Sequence, residues 1–319
     1  MRRALILLAA LAAGCASAKP AEPYKLIPGR VPLDWRGPDG NTVVLDGKDG
    51  LIVFDTGRHP EHAQAILDYA KARGRPIAAI VNSHWHLDHT TGNLDLRQVY
   101  PGAKVYATNA INGALPTFLK KGHDQSEKAL ADPKLSEGQK AQILRGRYRV
   151  DHPDTLRPTR PVLRSGRMKI AGRELDVHVV PFAATEADLW VYDPEQKLAT
   201  VGDLVVDIVP FMDTACPDGW LKALGEVERT PFRTLVPGHG PVMTRADFLT
   251  WKTAFANFVD CGRSTADKAQ CVSGWEKDAA KFIDEPHRDY VRGAADYYLT
   301  TRLRSSPEEQ QHYCKPLRP

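Results

Sequence analysis

The sequence predicts an α/β protein: two mixed sheets packed face to face with helices on the outside, a four-layer αβ/βα sandwich, followed by a helical extension. Three observations lead there. Strand-length apolar runs alternate with segments of helical period on both sides of a histidine-rich loop at 83–93, as layered α/β folds require. A polar, helix-patterned stretch interrupts the strands between about 109 and 160, and the strands stop beyond Met243. Hydrophobic content of 42% and charged content of 26% over 319 residues are those of a globular chain.

The N-terminus reads as a secretory signal. Arg2 and Arg3 precede an apolar core at 4–13 that is too short to span a bilayer. Ala16-Ser17-Ala18 is an A-x-A cleavage site, giving a signal peptide at 1–18 and a soluble periplasmic product from Lys19. The competing outcome is a lipid anchor at Cys15, because Ala12-Ala13-Gly14-Cys15 is a partial lipobox with alanine in place of leucine. No other stretch is long and apolar enough for a membrane span. Losing Arg2 and Arg3 lowers the formal charge of +4 by two, which gives no support to nucleic-acid binding.

Residues 19–40 are rich in Pro and Gly and read as a loosely packed arm. Strands at 41–46 and 51–54 flank Gly47-Lys48-Asp49-Gly50, a hairpin by turn composition. A helix follows at 60–73, with Ala63, Ile66, Leu67 and Ala70 at helical spacing, then a buried strand at 77–81. A short strand at 104–107 precedes the helical insertion at 109–160, whose His123 and His152 read as surface histidines. Strands resume at 168–171, 174–180, 189–192, 197–201 and 232–236, with His178 a sheet residue among them. Cys216-Pro217 opens a helix running to Glu228, with proline where a first turn tolerates it. The main domain thus covers 19–245, and 246–319 is a helical extension anchored by Trp251, Phe255, Phe258, Trp275, Phe282 and Tyr290.

Once Cys15 is removed or lipidated, Cys216, Cys261, Cys271 and Cys314 remain, an even set that suits an oxidising compartment. Proximity favours Cys261–Cys271, and elimination then gives Cys216–Cys314.

The chemistry is concentrated in Ser83-His84-Trp85-His86-Leu87-Asp88-His89, the pattern H-x-H-x-D-H. Eleven histidines in 319 residues make three within six positions improbable by chance. One helix cannot gather all four side chains, since positions two apart face different ways. A loop leaving the strand at 77–81 can. Imidazole and carboxylate together suit zinc, and are compatible with iron or manganese.

With three further landmarks, the chain resembles the metallo-β-lactamase-fold metallohydrolases over roughly 40–245. Leu51 to Gly57 is similar to the family's early strand ending in Asp-Thr-Gly, Thr200-Val201-Gly202-Asp203 to the strand before its metal-bridging aspartate, and Val236-Pro237-Gly238-His239-Gly240 to its final ligand turn. The resemblance implies a first metal on His84 and His86, a second on Asp88, His89 and His239, and Asp203 bridging both. It also implies that Asp55 buttresses the metal loop by hydrogen bonds, and that Asp88 orients a metal-bound hydroxide for attack on an ester, thioester, lactone or β-lactam bond of a small molecule. One position departs from the pattern. Ala184, in Phe182-Ala183-Ala184-Thr185-Glu186-Ala187-Asp188, stands where the family carries another histidine, leaving one tight and one weaker metal site. Glu186 reads as an exposed loop carboxylate. Two other functions stay open: a non-haem iron dioxygenase, which in this superfamily uses the histidine absent here, and a catalytically weak binding protein.

Overall fold

The computed structural model describes residues 24–30 and 37–316, so the leader and Cys15 lie outside the described residues. Twelve strands form two six-stranded sheets. The first contains β1 (Lys25–Ile27), β2 (Thr42–Asp46), β3 (Leu51–Phe54), β4 (Ile77–Val81), β5 (Lys104–Ala107) and β6 (Arg160–Pro161), in that spatial order. Its first three strands are antiparallel, and β3 to β6 run parallel. The second contains β7 (Gly166–Ile170), β8 (Arg173–Pro181), β9 (Ala187–Asp193), β10 (Leu198–Thr200), β11 (Thr234–Val236) and β12 (Met243–Thr244). It is antiparallel except for the β10–β11 pair.

The period-2 alternation of strand side chains decides what each face buries. Along β2, Val43 and Leu45 point between the sheets, where they meet Leu175, Val177, Leu189 and Val191 of the second sheet. Val44 points the other way, onto Ile66 and Ala70 of α1 (Pro60–Arg73) and Leu96 of α3 (Asn93–Val99), the latter reached through the single turn α2 (Leu87–Thr90). Helix α1 starts on Pro60 and stops at Gly74, which takes the left-handed conformation (φ 60°) of a C-terminal cap.

The insertion is helical: α4 (Ile111–Ala114), α5 (Lys120–Leu130) and α6 (Glu137–Asp151), the last opened by a reciprocal Ser136–Gln139 capping box. It packs Ile111, Ala114 and Leu119 against Trp85 of the histidine loop. On the outer face of the second sheet, α7 (Pro217–Arg229), α8 (Arg245–Arg263), α9 (Lys268–Asp278) and α10 (Arg288–Tyr298) share one apolar core with Trp190 and Leu235. Trp220, Trp251, Phe255 and Trp275 are fully buried there. Two of these indoles reach past the core: Trp220 Nε1 donates to the Leu204 carbonyl (2.9 Å) and Trp275 Nε1 to that of Ile208 (3.0 Å). Helix α7 and the extension, through α9, therefore both hold the loop that follows β10. Cys261 is bonded to Cys271, joining α8 to α9, and Cys216 at the head of α7 is bonded to Cys314 beyond α11 (Pro307–Gln311).

Residues 24–30 and 37–40 depart from the loosely packed arm expected of 19–40. Leu26 and Ile27 belong to β1, zipped onto β2, and Asp39 is buried. Asp39 Oδ1 accepts from the amides of Arg58 (2.6 Å) and His59 (2.8 Å), while Asn41 Nδ2 donates to the carbonyls of Pro237 (3.0 Å) and Gly240 (2.8 Å). Pro and Gly content marks a segment as irregular, but it does not reveal that polar side chains beside it are satisfied by distant backbone.

Candidate metal centre

Each metal-capable residue sits just past the C-terminal end of a strand. His84 and His86 lie in the loop after β4, Asp88 and His89 in α2, Asp203 in the turn after β10, and His239 in the loop after β11. All six are buried. They form two groups, His84 with His86 and Asp203, and Asp88 with His89 and His239, with the donor atoms of each group within 4.8 Å of one another. In the first, His84 Nε2 lies 2.8 Å from His86 Nδ1 and 3.7 Å from Asp203 Oδ2. In the second, His239 Nε2 lies 3.3 Å from His89 Nε2 and 3.2 Å from Asp88 Oδ2. Asp203 turns its other oxygen, Oδ1, to the second group, 3.1 Å from His89 Nε2 and 3.4 Å from His239 Nε2. One carboxylate thus addresses both groups.

Outer hydrogen bonds fix which ring nitrogens carry protons. Ser83 Oγ spends its hydrogen on Asp55 Oδ2 (2.7 Å), so the His84 Nδ1–H must donate to it (2.9 Å), leaving a lone pair on Nε2. Thr214 Oγ1 spends its hydrogen on the Ala184 carbonyl (2.9 Å), so His86 donates through Nε2 (3.0 Å) and keeps its lone pair on Nδ1. His89 donates through Nδ1 to Asp55 Oδ2 (2.8 Å), leaving Nε2 free. Three imidazole lone pairs therefore point at the same space as the carboxylate oxygens. Asp203 Oδ1 is buried there and accepts no hydrogen bond. A cation is what such a donor set lacks, and the residues present fit zinc or a similar metal.

Electrostatics show that the carboxylates draw positive charge, a proton or a metal ion, onto the cluster. Burial pulls His89 down, but Asp203, Asp55 and Asp88 outweigh it and hold the ring well above the ordinary imidazole range. His239 is raised in the same way, burial again being outweighed, here by Asp203 and Asp88. Burial opposes ionisation of Asp203, yet His89, His239 and His84 keep it below the ordinary carboxylate range. His84 and His86 are lowered mainly by burial, His86 to about 4. The pocket attracts positive charge.

Backbone geometry brings these atoms together. Asp55, at the end of β3, has φ 58°, a left-handed conformation that aspartate tolerates better than most residues. It aims Oδ1 at the Ser83 amide (2.8 Å) and Oδ2 at Ser83 Oγ and His89. At Gly238 a Cβ would stand 2.0 Å from Asp203 Oδ1, so the turn before His239 approaches the shared carboxylate only as glycine.

Four of the metal donors, His86, Asp88, Asp203 and His239, form the floor of a cavity of about 440 Å³. Trp85, Phe118, Ile143, Val150 and Phe211 make much of its wall, with the insertion on one side and Tyr290 and Tyr298 of the extension on another. His123 lines the cavity but points Nε2 at Asp151 (3.0 Å). His152 is exposed and stacks on Tyr148, and His178 stacks on Trp190 in the sheet. Ala184 is buried and Glu186 joins neither donor group. Sequence reasoning missed Thr214, which lies 128 residues from His86, a separation that no motif spacing marks. It also missed Arg58, whose Nη2 lies 3.4 Å from Asp88 Oδ1.

Comparison with known proteins places this arrangement. Residues 35–239, a span containing all six donors, match the family model described as the metallo-beta-lactamase superfamily. An atrochrysone carboxyl ACP thioesterase from Passalora fulva is 44% identical over 62 residues, 19% of either chain. A hydroxyacylglutathione hydrolase from Gloeobacter violaceus is 39% identical over 57 residues, 18% of this chain and 23% of its own. An (R)-specific secondary-alkylsulfatase from Pseudomonas sp. is 28% identical over 188 residues, 53% of this chain and 28% of its own. These matches span 19% to 28% of the curated relatives' own length. Among solved structures, a stereoselective inverting sec-alkylsulfatase from Pseudomonas sp. superposes with a TM-score of 0.53 at 18% identity, covering 81% of this chain and 47% of that one. A metallo-beta-lactamase from Hirschia baltica does so with a TM-score of 0.50 at 16% identity, covering 73% and 98%. At such identity the likeness is one of fold. From the family match and the two-sheet architecture together, the chain belongs to the metallo-beta-lactamase superfamily.

Proposed function

We propose that this chain is an exported, zinc-dependent hydrolase acting on an ester, thioester, lactone or β-lactam bond of a small molecule. The observation that carries this reading is the convergence of two donor groups on one shared carboxylate at the floor of an apolar cavity. His84, His86 and Asp203 would hold one zinc, and Asp88, His89, His239 and Asp203 the other. Zinc held there supplies Lewis-acid polarisation of the substrate oxygen and lowers the pKa of water.

The remaining work falls to the chain. Asp88 keeps Oδ1 toward Arg58 and turns Oδ2 to the donor cluster, where it can accept a hydrogen from the attacking water and hold its lone pair toward the substrate. Asp55 and Thr214 fix the tautomers, so no reorganisation accompanies the reaction. Trp85 and Phe118 keep bulk water from the apolar part of the substrate.

The first group counts three protein donors and the second four. Ala184 stands where the family pattern has a further histidine, so the first group holds its metal more weakly. Export is supported by the two disulfides, which form in oxidising compartments. The relatives named as a thioesterase and a hydroxyacylglutathione hydrolase support a thioester. The longer alignment with the alkylsulfatase supports a second reading, a sulfate ester.

Zinc titration of metal-free protein, followed by one panel of thioesters, carboxylic esters, lactones, β-lactams and alkyl sulfates, tests the proposal. One strong and one weak binding event with zinc-dependent turnover is expected. Absence of turnover on every substrate at saturating zinc, with activity appearing only in Ala184→His, would overturn it.

A further inference from the structure

Helix α6 carries three arginines at alternate positions, Arg145, Arg147 and Arg149. Residues four apart on a helix share a face, and the residue between them is turned away. Arg145 and Arg149 accordingly both reach Asp95 of α3, at 2.6 and 3.1 Å from its Oδ2. Arg149 also donates to the Thr91 carbonyl (3.0 Å) and Arg145 to that of Arg58 (3.0 Å). This pair ties the insertion to the segment carrying the metal donors.

Arg147 faces the other way, into the cavity wall. It is half-buried, and it donates to Ser126 Oγ at 3.3 Å. Among the described residues it pairs with no carboxylate. Asp151, one turn further along α6, lies 3.0 Å from His123 Nε2. A guanidinium partly withdrawn from water with no counter-ion costs free energy that an anionic ligand would offset. Its planar fork suits carboxylate, sulfate or phosphate oxygens. The same cavity is lined by Ile143 and Val150, a turn either side of Arg147 on α6, and by Trp85 and Phe118, whose rings lie 4.5 and 6.2 Å from that of His86. The cavity is thus an apolar slot with metal donors at its floor and a fixed cation in its wall.

We infer that Arg147 holds a terminal oxyanion of an amphiphilic substrate whose apolar middle lies along Trp85, Phe118, Ile143 and Val150 and whose scissile bond reaches the Asp88–His239 floor. Arg147 is a specificity-determining residue and touches no reacting atom. The inference builds on the hydrolase reading for the fate of the ligand, but its test is a binding measurement.

Zinc-loaded wild type, R147Q and R147K are titrated by calorimetry with octanoate and with the neutral octanamide. Octanoate should bind wild type more tightly than octanamide. R147Q should lose about tenfold in octanoate affinity, the usual effect of removing a charge-assisted hydrogen bond, and leave octanamide unchanged. R147K should recover part of the loss. Three results overturn the inference: no octanoate binding to wild type at millimolar concentration, equal octanoate affinity in R147Q, as binding on zinc alone would give, or equal loss of both probes, as a purely structural role would give. Binding through Arg147 in a protein that turns over no substrate would sustain this inference while ending the hydrolase reading.

Discussion

Thr214 Oγ1 sits 3.0 Å from His86 Nε2 while giving its own hydrogen to the Ala184 carbonyl, 2.9 Å away. A single hydroxyl thereby links the backbone at Ala184 to the ring of His86. It acts as acceptor toward the ring and as donor toward the backbone, and both roles are needed to leave His86 Nδ1 unprotonated.

Thr214→Val tests this, because valine keeps the shape and removes the hydroxyl. The His86 ring would be free to take either tautomer, and the Ala184 carbonyl would lose its partner. Zinc affinity of the weaker group should fall by about tenfold to a hundredfold, the range seen when an outer hydrogen bond to a metal-binding histidine is deleted. The tighter group should be unaffected. Competition with a chromophoric chelator resolves the two events, and an unchanged weak event would show that Thr214 does not position His86.

Asp55 supports the other group directly through His89, and reaches His84 of the first through Ser83 Oγ. Its Oδ2 accepts from His89 Nδ1, and asparagine at this position would present either a weaker neutral acceptor or a clashing donor. Asparagine also tolerates the φ of 58° found here. Asp55→Asn should therefore weaken zinc binding at the tighter group by about tenfold or more with little backbone strain. Asp55→Val should add strain of roughly 1–3 kcal/mol, visible as an additional fall in Tm. Equal Tm losses in the two variants would argue against this separation of roles.

Much of this centre was legible in the sequence because its donors lie in short motifs at strand ends, where spacing and strand polarity together decide what meets. The strand pairing of 42–46 with 51–54 was readable for a similar reason: apolar alternation and a glycine-flanked turn act locally. Thr214, Asp39 and Arg58 were not legible. Each acts across a long stretch of chain, and Thr, Asp and Arg are common loop residues whose burial follows only from tertiary packing. The insertion was recognisable as helical, but which of its three alternate arginines stays unpaired depends on where α3 places Asp95.

Asp188 sets a pH dependence that can be assigned to one group. Burial raises its carboxyl to about 7, although Thr185 donates to it through both amide (3.0 Å) and hydroxyl (3.1 Å). An unfolded aspartate titrates near ~3.9, so between about pH 4 and pH 7 the folded state binds more protons than the unfolded state. Stability from this group is full at the acid end of that window and falls as pH rises through it, by a few kcal/mol at most. Asp188→Asn lacks the titration. Its Tm relative to wild type should accordingly improve between pH 5 and pH 8, and a difference constant with pH would place the Asp188 carboxyl in the ordinary range.

The last prediction concerns the shared carboxylate. Gly238 precedes His239, and its amide donates to the carbonyls of Gly202 (2.7 Å) and Val205 (2.9 Å), which presses the turn against Asp203. A methyl group there would stand 2.0 Å from Asp203 Oδ1 and 2.8 Å from the Asp203 amide, so the carboxylate or the turn must move. Because Asp203 addresses both groups and Gly238 adjoins His239, Gly238→Ala should weaken both zinc events together, unlike Thr214→Val, which acts on one. Overpacking of this kind costs about 1–3 kcal/mol, so the variant should still fold, and circular dichroism should show native secondary structure at 20 °C. Zinc titration then decides the matter. Parallel loss of the strong and weak events is expected, whereas loss of only the event that depends on His239 would mean that the shared oxygen of Asp203 is not held by the turn.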